Sequence, residues 1–164
     1  MPEITLSIPC EPYLAQWFRH DSGTEEIIEL RKNSPESALL RVLLANKNSI
    51  PYIPPIPKGD ELKIRIPHFK GMPPEYFNRI SPRGEKAFID LIRQRFDLRL
   101  FSDLSPILHA AHRRDELIYA WMEANGIEDS ETNWCAVDKR LRRMIDRLQT
   151  KIRVRKYRAA KKKF

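Results

Sequence analysis

From Trp134 to Ile152 apolar residues return at steps of three, four, four, three and four, through Val137, Leu141, Ile145 and Leu148. Only an α-helix, at about 3.6 residues per turn, lines such a series up on one face. Asp129, Ser130 and Thr132 stand just upstream, and all three are residue types that cap a helix N-terminus. The spacing predicts one long amphipathic helix. Such a helix must lay its stripe on something. The chain is therefore confined to folds that offer a long apolar bed, or to a homodimer with Leu141, Ile145, Leu148 and Ile152 as its seam.

The other faces of this helix are basic. Residues 139–164 carry thirteen Lys and Arg against the single acid Asp146, a charge of +12. The other 138 residues hold seventeen cations and twenty-one acids, or −4. A short charge run usually does no more than solvate a face, but a surplus this dense repels itself unless a polyanion relieves it.

The candidate nucleic-acid contacts are accordingly Lys139, Arg140, Arg142, Arg143, Arg147, Lys151, Arg153, Arg155, Lys156, Arg158, Lys161, Lys162 and Lys163, mostly to phosphates. Arg140, Arg143 and Arg147 share a face that would reach phosphates or guanine edges, and Asn133, near the helix start, is placed to meet a base. Duplex DNA is the preferred target. RNA stays open, because phosphate attraction is common to both. The alternative is an adaptor whose basic tail binds an acidic protein. Past about residue 155 the stripe fades into RKYRAAKKKF, which is expected to fray.

The N-terminal part reads differently. Residues 3–8, EITLSI, alternate with Ile4, Leu6 and Ile8 on one side, the mark of a half-buried strand that Pro9 ends. EPYLAQWFRH has Tyr13, Leu14, Trp17 and Phe18 at helical spacing, stopped by the DSG at 21–23. EEIIELRK, 25–32, is a second strand, and Ser34-Pro35 opens a helix through SALLRVLLA. ELKIRI, 61–66, alternates again. Four prolines in SIPYIPPIPKG, 49–59, favour a stiff extended connector, and IPHFKGMPPEYF, 66–77, reads as a turn-rich connection.

From Ser81-Pro82 the pattern is helical, with Phe88, Leu91, Ile92 and Phe96 predicting a helix over about 82–96. RRDELIYAWMEANGI supplies Leu117, Ile118, Trp121 and Met122, with Gly126 at the left-handed stop. The expected fold is α+β: a small three-stranded sheet with two helices over 1–70, then a helical part over 71–164 that ends in the long basic helix. At 164 residues and 41% hydrophobic content the whole is also compatible with one domain.

Little else in the letters points to chemistry. Cys10 and Cys135 lie far apart without CxxC spacing, and no run approaches a membrane span, so a cytoplasmic chain with reduced thiols and no membrane partner is expected. His109 and His112 have a spacing that would hold two metal ligands, but no third is evident, and cap or surface histidines are the plainer reading. Cys135 fits a small packed residue beside Trp134. Asp21, Glu25, Glu26 and Glu29 with His20 would be needed for a magnesium-dependent nuclease, yet any exposed turn contains such acids. Trp17, Phe18, Trp121 and Trp134 would serve as base-stacking platforms, but their places on apolar stripes favour the core. No phosphate loop, dinucleotide fingerprint or nucleophile elbow is present, so the expectation is a non-enzymatic protein with no cofactor and no metal.

A helix ending at Gly126, a short polar turn and then a basic helix resemble the helix-turn-helix of DNA-binding proteins over residues 113–150. The chain more loosely resembles the small basic proteins carried by bacterial mobile elements and prophages. The turn is longer than the tight glycine-centred turn usual in helix-turn-helix proteins. The resemblance implies DNA binding, and neither a target sequence nor a regulated gene.

Overall fold

The computed structural model describes residues 4–51, 59–108 and 113–161. Three strands, Thr5–Cys10 (β1), Ile27–Glu29 (β2) and Asp60–Arg65 (β4), form a mixed sheet in the order β1, β4, β2. β1 runs antiparallel to β4 with Leu6 opposite Ile64 and Ile8 opposite Leu62, while β2 runs parallel with Ile28 opposite Ile64. The period of two puts Leu6, Ile8, Ile28, Leu62 and Ile64 on one buried face.

β1 does not end at Pro9 but continues through it to Cys10, with Pro9 opposite Glu61. Ile66 N–H donates to Ile4 O at 3.1 Å, and the alternation from that pair turns the missing donor of Pro9 to the outer side of an edge strand. A second departure is a two-stranded sheet of β3, Ala45–Asn46, and β5, Phe77–Arg79, in segments read as a helix end and as a turn-rich connection. Strands of two or three residues are too short to show a period.

Helices cover the apolar face. α1, Pro12–Ser22, starts on Pro12 and stops at Gly23, whose φ of 73° is left-handed and whose N–H bonds His20 O. α2, Pro35–Leu43, and α3, Pro82–Leu104, both open as expected, with the Ser34 and Ser81 hydroxyls accepting from Ser37 N and Gly84 N at 3.1 Å. α3 does not stop at residue 96. Phe88, Ile92, Phe96, Leu100 and Leu104 repeat every four residues, all are buried, and the helix ends only as Pro106 approaches. The proline-rich stretch at 52–58 and the His109/His112 pair lie outside the described residues.

α4, Arg114–Ala124, and α5, Glu131–Lys161, complete the element order. The fold class is α+β, with the long C-terminal helix expected from its stripe. Phe96 is the hub of the core: its ring meets Tyr13 at 5.2 Å, Trp17 at 5.3 Å and Trp121 at 5.6 Å, each near edge-to-face. α1, α3 and α4 are thereby joined through one side chain. The buried cluster takes residues from both sides of position 70.

Candidate nucleic-acid interface

α5 has two halves with different surroundings. Ser130 caps it, its hydroxyl accepting from Asn133 N at 3.2 Å. In the first half Val137 and Leu141 are fully buried and Ile145 is half-buried against the core. From Asp146 to Ala160 every residue is exposed. These fifteen residues continue the helix for about 22 Å, at about 1.5 Å per residue, past its last buried residue, with Arg147, Leu148 and Lys151 still beside α3 along an open trough.

The expected contact residues separate along this division. Arg140 belongs to the body: its guanidinium grips Asp97 of α3 through two bonds, at 2.5 and 2.8 Å. Burial works against its charge, but Asp97 and Tyr13 more than compensate, and its pKa is raised. It therefore does not share a free face with Arg143 and Arg147. Arg142 is exposed yet leans on Asp138 at 2.7 Å, a buried carboxylate that also lies 2.9 Å from Arg114.

Asn133 is the clearest departure from expectation. It is only 3% exposed, and its amide donates to Gln16 Oε1 and to Glu128 O, both at 3.1 Å. Gln16 Oε1 also accepts from Glu128 N at 2.9 Å. Asn133 therefore latches the turn before α5 onto α1 and presents nothing to a base. It sits on the row of Val137 and Leu141, four and eight residues back, which is a signal of burial present in the sequence.

Lys139, Arg143, Arg147, Lys151, Arg153, Arg155, Lys156 and Arg158 are all exposed. None of them forms an ion pair among the described residues, whereas Arg140 and Arg142 do. Lys161 ends the helix, and Lys162 and Lys163 lie outside the described residues. On the projecting part, residues 146–160, six cations stand against Asp146 alone. The start of α5 has the opposite sign, with Glu128, Asp129 and Glu131 around its first turn. In the helix-turn-helix arrangement that first turn meets the bases. Here the cations begin two turns later, at Lys139.

Trp17, Phe18 and Trp121 are buried, and Trp121 Nε1 donates to Asp103 at 3.0 Å. Trp134 is half-buried and stacks on Tyr119 at 5.9 Å, tying α5 to α4. Cys135 is exposed and not packed, because it falls one position off the stripe. Burial, and then Asp60 and Glu11, push the Cys10 thiol up to about 12, which removes it as a nucleophile near neutral pH. Asp21 pairs with Arg95 and Glu29 with Arg65, and no group of three metal-ligating side chains occurs among the described residues. No helix among them is long and apolar enough to cross a membrane. No family model, curated protein or solved structure matches the chain.

Proposed function

We propose that the protein binds nucleic acid, with duplex DNA favoured, through the projecting half of α5. The observation that carries this reading is the run of cations, without an ion-pair partner among the described residues, on an exposed helix whose first half is anchored in the core. A lone helix about 10–12 Å across fits the major groove of B-form DNA, and the deep, narrow major groove of A-form RNA does not admit it. Cations on several faces of the rod match phosphates on both walls of such a groove. They favour backbone attraction over base readout, and the expected affinity is weakly dependent on sequence and steeply dependent on salt. The protein is then a non-enzymatic, basic DNA-binding chain of the broad type its sequence resembles.

The test is a titration of labelled duplex DNA and of duplex RNA of equal length at several salt concentrations. The intact chain is compared with the triple variant Arg147→Ala, Lys151→Ala, Arg153→Ala. The reading expects tighter binding to DNA and a salt slope reduced by about one unit per contact removed. An unchanged slope in the triple variant overturns it.

A further inference from the structure

The flank of α5 that faces α3 carries a surface of another kind. Leu98, 69% exposed, and Phe101 line the α3 side of an open trough of about 370 Å³, while Met144 and Leu148, 45% exposed, line the α5 side. The apolar row does not stop where the body stops. Met144, Leu148 and Ile152 form one ridge at steps of four, and Ile152 is 46% exposed on the projecting half. Single exposed leucines are ordinary, but Leu98, Phe101, Met144 and Leu148 gathered on one trough, with Ile152 exposed a turn further along α5, mark a place where something docks.

The ridge next to it is wholly cationic: Arg147, Lys151 and Arg155, again at steps of four. Across the trough the acid on its lining, Asp97, is already held by Arg140. An occupant must therefore bring an apolar stripe and, beside it, negative charge spaced to meet cations about 6 Å apart along a helix axis. Those are the features of an acidic amphipathic helix. A nucleic acid would satisfy the cations and leave the leucines wet. Antiparallel trough-to-trough packing of two copies would set Arg147, Lys151 and Arg155 against their own equivalents, which like-charge repulsion opposes.

We propose that the α3–α5 trough receives one amphipathic helix of another protein, with Asp or Glu along the edge that meets Arg147, Lys151 and Arg155. The helix would complete a three-helix arrangement with α3 and α5. Arg147, Lys151 and Arg155 serve both readings, whereas Leu98 and Phe101 play no part in DNA binding, so the apolar lining is what tells the two proposals apart.

The probe is a synthetic amphipathic peptide with Leu at heptad core positions and Glu on one flank. It is compared with a scrambled peptide of the same composition, and binding to the intact protein is read by fluorescence anisotropy. The patterned peptide is expected to bind and the scrambled one to bind at least about tenfold more weakly. Leu98→Gln, a charge-neutral change at an exposed position, is expected to weaken the patterned peptide by roughly tenfold while leaving DNA affinity within about twofold. Equal binding of both peptides reduces the surface to bulk charge and overturns the proposal, as does an unaffected Leu98→Gln variant. It is also overturned if light scattering finds a dimer that Leu98→Gln dissociates, because the trough then takes a second copy. Parallel loss of DNA affinity in Leu98→Gln assigns the trough to nucleic acid, with the same consequence.

Discussion

Arg140 and Asp97 lie 43 positions apart and meet through two parallel hydrogen bonds, at 2.5 and 2.8 Å, that fasten α5 to α3. The pair converts one member of a basic series into part of the scaffold and leaves its neighbours outside. Arg140→Ala is expected to destabilise the fold by about 1.5–3 kcal/mol, the range for a hydrogen bond to a charged group, and to leave the salt slope of DNA binding nearly unchanged. Arg153→Ala, on the projecting half, is expected to do the reverse, with stability within about 0.5 kcal/mol of the parent and a shallower slope. Urea unfolding and salt-dependent titration of the two variants read the difference.

Phe96 is the contact shared by Tyr13, Trp17 and Trp121. Phe96→Ala removes all three ring contacts and leaves a cavity where α1 and α4 meet α3. A loss of about 3–5 kcal/mol is expected, measured by chemical denaturation. Phe96→Leu keeps most of the volume and is expected to cost clearly less.

Two carboxylates set the response to acid. Arg19, hydrogen-bonded to both oxygens of Asp60 at 2.8 and 2.9 Å, holds that carboxyl below its ordinary value of 3.8. Burial raises Glu36, but its own backbone N–H and Arg95 outweigh burial and carry it below 4.5. A folded pKa below the unfolded one means stability that is complete above the unfolded value and is lost as pH falls through the folded value. Unfolding free energy is therefore expected to hold down to about pH 4.5 and then to decline. Glu85, raised by burial alone, contributes with the opposite sign, losing its stabilisation as pH rises through its folded value. In Asp60→Asn the decline below pH 4.5 is expected to be shallower; an identical pH profile excludes the Arg19 pair as its source.

The turn from α4 to α5 is held by shape as well as by hydrogen bonds. Gly126 has a φ of 70°, and a Cβ there would lie 2.7 Å from the His20 side chain. Gly126→Ala therefore meets backbone strain and a collision at once, and Asn133→Ala leaves Gln16 and the Glu128 carbonyl short of a donor. Each is expected to lower the unfolding midpoint, with Asn133→Ala costing about 1–3 kcal/mol. DNA affinity measured well below that midpoint is expected to stay at the parent level, because neither residue faces the ligand.

Features carried by neighbouring residues were legible in the sequence. The alternation of Leu6 and Ile8 and of Leu62 and Ile64 specified the strands and their buried face, and the Ser34-Pro35 and Ser81-Pro82 pairs specified two helix starts. The stripe from Trp134 specified α5. What depended on distant partners was not legible. Nothing near Arg140 announces Asp97, and nothing near Asn133 announces Gln16, although Asn133 lies on the row that Val137 and Leu141 bury and Arg140 adjoins it. The stripe also runs past the body that covers it, so Leu148 and Ile152 look like core in the sequence and stand exposed in the fold. Helical period reveals which residues share a face, and the extent of the opposing surface decides how far that face is covered.

The most direct test is the salt dependence of duplex DNA binding for the intact chain and for a chain ended after Leu148, which keeps every buried residue of α5. Both chains are expected to fold alike by circular dichroism and unfolding midpoint, while the shortened chain binds far more weakly and with a salt slope smaller by about five units, one for each described cation beyond that point whose side chain is seen to be exposed. Equal affinity and equal slope for the two chains contradict DNA binding through the end of α5.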